Sequence, residues 1–203
     1  MKIVFASGNE GKVKEIREML EGMGIELVSL SNYNHVPEIV EDGKSFLENA
    51  LKKAKIISEF TGETVLADDS GLQVEVLGGE PGIYSSRYAG EKATDEENNT
   101  KLLAKLKNIP QEKRTAFFRC VLVLYKRDGS YDYFEGKWSG QIIDERRGNN
   151  GFGYDPIFLL PELKKTAAEL PAEIKNKISH RGQAFALLRK KLGEKFKKIE
   201  IGA

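Results

Sequence analysis

The sequence predicts an α/β fold in a single domain spanning residues 1–203. Three observations lead there: short apolar runs that read as strands, apolar positions at helical spacing between them, and glycine, asparagine and proline at the junctions. A chain of 203 residues, 40% of them hydrophobic, can fill one sizeable core or two small lobes. It contains no internal repeat or low-complexity segment.

Ile3, Val4 and Phe5 form the first strand, which "ASGNEG" ends. A helix follows over residues 12–24, with Val13, Ile16, Leu20 and Met23 at helical spacing and Gly24 as its stop. "IELVSL" is a second strand. "SFLENALKKAKIISEF" is a second helix: Ser45 and Glu48 fit a capping box, and Leu47, Leu51, Ala54 and Ile57 make one apolar face. The apolar run Val65, Leu66, Ala67 then reads as a strand that breaks at Asp68 and Asp69, before alternation resumes through Leu72, Val74 and Val76. The glycine- and proline-rich stretch near residues 78–94 pinches the domain towards two lobes. "TDEENNTKLLAKLKNIP" is a third helix, with Thr94 and Glu97 as its capping box. Two strands flank the turn signal Asp128-Gly129. "RRGNNGFGYDPIFLL" is loop then strand, and "ISHRGQAFALLRKKLG" a last helix with Ser179 as N-cap.

Composition narrows the function. Thirty-two basic and 31 acidic residues leave a net charge of +1, so no global field recruits nucleic acid or a membrane. The lysines from Lys190 to Lys198 read as the solvated face of a terminal helix; a basic nucleic-acid-binding surface is the alternative. The apolar run at the N-terminus is too short for a signal peptide or a membrane span. Cys120, the only cysteine, excludes an intramolecular disulfide and reads as a buried strand thiol. The expectation is a soluble, cytoplasmic protein.

Five stretches are suited to chemistry. "SGNEGK", Ser7 to Lys12, joins a strand to a helix, and such a loop presents backbone N–H groups at the positive end of the helix. Ser7 and Asn9 add donors and Lys12 a charge; the alternative is an ordinary turn. Asp68 and Asp69 suit a hard cation such as Mg²⁺, which takes a few oxygens plus water and phosphate. Alternatively, one of them caps the turn at Ser70-Gly71. Glu41 is a further oxygen ligand, and Lys53 sits one turn beyond Asn49 on its helix. "GFGYDPIF" offers Phe152 and Tyr154 as ring faces for a base, unless the aromatics belong to the core. "KNKISHRG" gathers Lys175, Lys177, His180 and Arg181 as donors. An anion loop, a cation site, a ring platform and a donor cluster together describe a nucleotide with a phosphate chain.

The ordered set "SGNEGK", "LADDSGL", "LGGEPGIYSSRY", "GFGYDPIF" and "ISHRGQA" closely resembles the inosine triphosphate pyrophosphatase family, from residue 3 to about residue 190. The resemblance implies a long curved mixed sheet flanked by helices, with two lobes around a central nucleotide cleft, and a homodimer. It implies Mg²⁺-assisted hydrolysis of dITP, ITP and XTP to the monophosphate and pyrophosphate, which cleanses the nucleotide pool. By motif, Ser7, Gly8, Asn9, Glu10, Gly11 and Lys12 would hold the phosphates with Lys53, and Ser70 would touch the nucleotide. Asp69 would be general base and metal ligand, with Glu41 as the second ligand and Asp68 as the alternative. Phe152, Gly153, Tyr154, Asp155, Lys175, His180 and Arg181 would surround the base; Tyr154 stands where some relatives carry tryptophan. A 6-oxopurine presents an acceptor at C6 where adenine presents an amino group, and Arg181 can only donate. An Arg181–His180 pair is therefore expected to reject adenine.

Overall fold

The computed structural model of the chain describes residues 1–201, with side chains described to residue 193. In chain order the elements are β1 (Lys2–Ala6), α1 (Glu10–Leu20), β2 (Glu26–Ser29), α2 (Phe46–Thr61), β3 (Val65–Val74), α3 (Asp95–Leu106), β4 (Thr115–Tyr125), β5 (Tyr131–Ile142), β6 (Phe158–Leu160), β7 (Lys165–Thr166), α4 (Ala172–Ile178) and α5 (His180–Ile201). The strands form one open mixed sheet in the order β2-β1-β3-β4-β5-β6-β7. β1 pairs parallel with β2 and β3, whereas β5–β6 and β6–β7 are antiparallel. The expected mixed sheet with flanking helices is present.

The chain divides into two compact units. Met1–Asp69, Cys120–Gly136 and the chain from Arg181 on form the first, and Ser70–Arg119 with Lys137–His180 the second. In the first unit Ile3, Phe5, Leu66, Cys120, Leu122 and Leu124 pack with Ile16 and Leu20 of α1 and Ala184, Phe185 and Leu188 of α5. On β3 the even-numbered position, Leu66, belongs to this cluster, as the two-residue strand period requires. In the second unit Leu72, Phe118, Trp138, Ile142, Ile157 and Phe158 pack with Leu102 and Leu106 of α3.

Local signals set most boundaries. Asn9 caps α1, its side-chain oxygen accepting from the Lys12 amide at 3.0 Å. Thr94 and Glu97 make the expected reciprocal box at α3. At α2 the box is displaced: Ser45 accepts from the Glu48 amide at 3.1 Å, but the Glu48 carboxylate reaches back to the Lys44 amide at 2.8 Å. The β4–β5 turn closes through Lys126 N–H donating to the Ser130 carbonyl at 2.8 Å, with Gly129 at φ +84°. One reading is corrected: β3 does not break at the aspartates but runs through them to Val74. The expected last helix is present as α5, and a separate short helix, α4, precedes it and is capped by Ser179. Lys190 and Lys191 are exposed, and the side chains of the later lysines lie outside the described residues. No helix among the described residues is long and apolar enough to cross a membrane.

Gly140 marks the closest approach of β5 to β6: a Cβ there would lie 2.5 Å from the Phe158 ring and 2.6 Å from the Leu159 carbonyl oxygen. A backbone carbonyl in a ladder has little room to move. Gly140→Ala is expected to lose about 1–3 kcal/mol in urea unfolding, and an unchanged midpoint would contradict this packing.

Candidate functional site

The first unit carries two charged groups, and the strand period of β3 separates them. Asp68 shares the face of Leu66, which packs with α1 and α5, whereas Asp69 turns the other way and meets Lys53 of α2.

Asp68 is the centre of a buried network. Its Oδ1 accepts from Lys12 Nζ at 2.6 Å and Arg181 Nη2 at 3.4 Å. Its Oδ2 accepts from Arg181 Nε at 2.8 Å and the Cys120 thiol at 3.2 Å. Arg181, only 1% exposed, completes its pairing by donating Nη1 to Glu15. Burial is the largest influence on Asp68 and acts upward, yet Arg181 and Lys12 outweigh it and hold the carboxyl well below its usual range. Burial pushes the Cys120 thiol well above its own, so the cysteine is inert as expected.

Both oxygens of Asp68, the alternative metal ligand, are engaged by cations and a thiol. Arg181, expected beside the base, spends its guanidinium on Asp68 and Glu15, because a buried guanidinium needs carboxylates at hand. These contacts tie Asp68 of β3 to the start of α5.

Asp69 has the opposite character. Lys53 Nζ donates to Glu41 Oε1 at 2.5 Å and to Asp69 Oδ1 at 3.4 Å. The other oxygen, Oδ2, is buried with no hydrogen-bond partner among the described residues. Burial raises the Asp69 carboxyl above its ordinary range, and Lys53 and Lys12 only partly reverse this. Lys53 is also buried, which opposes its charge, but Asp69 and Glu41 leave its ammonium with a raised pKa. One carboxylate with a buried, unpartnered oxygen beside a second carboxylate can accept a cation or a proton.

The anion loop leads into α1. Ser7 Oγ accepts from the Asn9 amide at 3.2 Å, and Gly8, Asn9 and Glu10 are exposed while Gly11 is half-buried. The Asn9 oxygen is spent on the helix cap, so its Nδ2 remains as the side-chain donor. Lys12 is held by Asp68 through its ammonium, while its backbone amide donates to the Asn9 cap.

The second unit gathers the remaining candidates. Asp155 accepts from the Phe152 amide at 3.0 Å and pairs with Lys175, both side chains being buried. A Cβ on Gly151 would sit 2.0 Å from Asp155 Oδ2, so only glycine fits there. Phe152 is half-buried, with Lys175 Nζ 5.0 Å from its ring centroid. Tyr154, expected to offer a ring face, lies among core residues. It is 4% exposed, packs in the core and donates its hydroxyl to the Ser85 carbonyl at 2.9 Å. His180, 5% exposed, stacks on Phe118 at 4.8 Å between ring centroids and 11° between planes. Ser70 lies half-buried in β3.

Sequence reasoning missed Glu15, Gly151, and Asp95 and Asn99 of α3. Gly153 N–H donates to Asp95 Oδ2 at 2.6 Å, and Asn99 Nδ2 donates to the Gly153 carbonyl at 2.9 Å. The available signal was the Asn98-Asn99 pair inside a helix, where asparagine is a poor former unless its side chain has a task. Among the described residues no three His, Cys, Asp or Glu side chains are grouped to hold a metal.

Comparison with known proteins adds to this. Residues 3–191 match a family model described as the Ham1 family. The chain is 51% identical over 192 residues to a dITP/XTP pyrophosphatase of Geobacter sulfurreducens, covering 95% of this chain and 96% of that one. A HAM1 protein structure from Coxiella burnetii superposes with a TM-score of 0.86 at 43% identity, over 96% of this chain and 99% of that one. A nucleoside-triphosphatase, or dITP/XTP pyrophosphatase, from Mycobacterium abscessus superposes with a TM-score of 0.75 at 45% identity, covering 93% and 98%.

Asp68→Asn leaves Arg181 and Lys12 without their shared anion, and about 3–5 kcal/mol of stability should be lost at pH 7. Because the folded pKa of Asp68 is depressed, its contribution is present above the unfolded value near about 4 and is lost as pH falls through the folded value. Urea unfolding of both proteins should therefore show a gap that narrows below about pH 4. A gap independent of pH would place the stabilisation elsewhere.

Proposed function

The chain belongs to the Ham1 family, and from that membership and the two residue groups above we propose that it hydrolyses dITP, ITP and XTP to the monophosphate and pyrophosphate. The relatives' activity supports this reading, and one observation carries it: the buried, unpartnered Oδ2 of Asp69 beside Glu41 and Lys53.

Pyrophosphate leaves when water attacks the α-phosphorus in line with the departing oxygen. Asp69 is the group to orient that water and take its proton. Its second oxygen, buried and without a partner among the described residues, is the atom placed to accept that proton. Lys12, steadied by Asp68, and Lys53 supply positive charge for the phosphate chain, together with the backbone amides from Gly8 to Gly11. Mg²⁺ fits Asp69 and Glu41, because it is commonly held by one or two carboxylates plus phosphate oxygens rather than by an all-protein cage. When bound, it would neutralise charge on the leaving pyrophosphate.

For the base, Phe152 is the half-buried ring and Lys175 and His180 are the donors in the second unit. A site that donates to the C6 carbonyl of a 6-oxopurine leaves a donor unpaired against adenine, at a cost of about 1–3 kcal/mol. A soluble, cytoplasmic homodimer acting on free nucleotides completes the proposal, without nucleic acid or membrane as partner.

The test is pyrophosphate release with Mg²⁺ from dITP, dGTP and dATP under identical conditions. Release from dITP should be about a hundredfold faster than from dATP, near 2.7 kcal/mol of transition-state discrimination. Equal rates would discard the base-reading donors, and no release from any of them would discard the activity.

Asp69→Asn should fold, bind dITP and lose about 10²–10⁴ in kcat. Turnover near that of the unaltered chain would remove Asp69 from the mechanism.

A further inference from the structure

Gly153 is the middle of the segment from Phe152 to Asp155, and its backbone is grasped at both ends by one helix. Asp95 accepts from its N–H at 2.6 Å, and Asn99 donates to its carbonyl at 2.9 Å. Asp95 and Asn99 are four residues apart on α3 and so share a helix face. Gly153 itself lies at φ +64°, a left-handed conformation that a non-glycine residue would adopt with strain.

Stability alone gives little reason for Asn99. It is 2% exposed, and its Oδ1 is buried with no hydrogen-bond partner among the described residues. A buried orphan acceptor is costly, and asparagine is a poor residue for a helix interior. Its neighbour Asn98 differs: Nδ2 donates to the Ser86 carbonyl at 3.1 Å and Oδ1 accepts from the Ala89 amide at 2.8 Å, so both ends are satisfied. What Asn99 gains for its cost is its hold on Gly153. The residues around Gly153 are fixed as well, Tyr154 through Ser85 and Asp155 through Lys175. Phe152, its amide held by Asp155, keeps a half-buried ring in this anchored segment.

We propose that Asp95 and Asn99 are positioning residues for base recognition: they fix the Gly153 peptide and thereby hold the Phe152 ring ready to stack on the purine. This rests on the proposed function. Holding a ring in place before the ligand arrives removes an ordering cost from binding. The effect should therefore appear in nucleotide affinity rather than in the chemical step.

The experiment compares Asn99→Leu, Asp95→Ala and Asp95→Asn with the unaltered chain, measuring KM and kcat for dITP and inhibition by tripolyphosphate, a phosphate chain without a base. Asn99→Leu and Asp95→Ala should raise KM roughly tenfold, the loss of one positioning hydrogen bond, with kcat within about threefold and tripolyphosphate inhibition unmoved. Asp95→Asn keeps an acceptor oxygen for the Gly153 amide and should recover most of the KM. Asn99→Leu removes the orphan acceptor, so its melting temperature should hold or rise while its KM worsens, a combination that a purely structural role would not give. If Asp95→Ala fails to fold, Asn99→Leu carries the same comparison.

An unchanged KM in folded variants, or tripolyphosphate inhibition weakened in step with KM, overturns the inference and leaves the proposed function standing. An unaltered chain that releases no pyrophosphate from dITP overturns the proposed function, and this inference with it.

Discussion

The charged architecture of the first unit depends on the two-residue period of β3. Asp68 and Asp69 are joined by one peptide bond, yet the pleat sends them to opposite faces. One is neutralised by Lys12 and Arg181, and burial raises the pKa of the other. If β3 shifted by one residue, both carboxylates would change face, and only one could take the other's place. The apolar residues on either side resist this, since Leu66 would then leave the cluster it shares with Phe5 and Leu122. The hydrophobic register thus sets the electrostatic assignment.

The second unit solves a different problem, that of fixing an irregular segment without strand pairing. Every backbone group there needs a partner. The partners come from side chains: Asp155 for the Phe152 amide, Asp95 and Asn99 for Gly153, and Tyr154 reaching back to Ser85. Glycines at 151 and 153 permit the positive φ values, and at 151 they also permit the close approach of Asp155 and Lys175. The segment is irregular in its dihedral angles but fixed by its hydrogen bonds.

Much of this was legible in the sequence because it is local. The capping boxes, the helical periods of α1 to α3 and the turn at Asp128-Gly129 all rest on residues within a few positions of one another. The anion loop was equally readable as a glycine-containing strand-to-helix junction. What could not be read was decided by partners distant in the chain. Two adjacent aspartates looked like the end of a strand because a buried carboxylate needs a cation, and the cation for Asp68 stands 113 residues away at Arg181. Arg181 reads in the sequence as a donor beside His180, and its carboxylate partners Asp68 and Glu15 become visible only in the fold. Tyr154 looked available as a platform, and only the core around it and the Ser85 carbonyl reveal that it is committed.

This pattern says where the fold accepts instability. A buried carboxylate held between two cations is seldom more stable than an apolar replacement of similar volume, so the network around Asp68 is poorly explained as scaffolding alone. Its geometric effect is specific. It binds the ammonium of Lys12 to β3 and fastens α5 to β3 through Arg181 and to α1 through Glu15. The neighbouring strand position then remains a carboxylate whose second oxygen has no hydrogen-bond partner among the described residues. An unsatisfied buried oxygen persists in a fold only when the surrounding structure can bear its cost. Here the well-packed cluster formed by β1, β3, β4, α1 and α5 supplies the stability against which Asp69 is held in a state suited to chemistry rather than to packing.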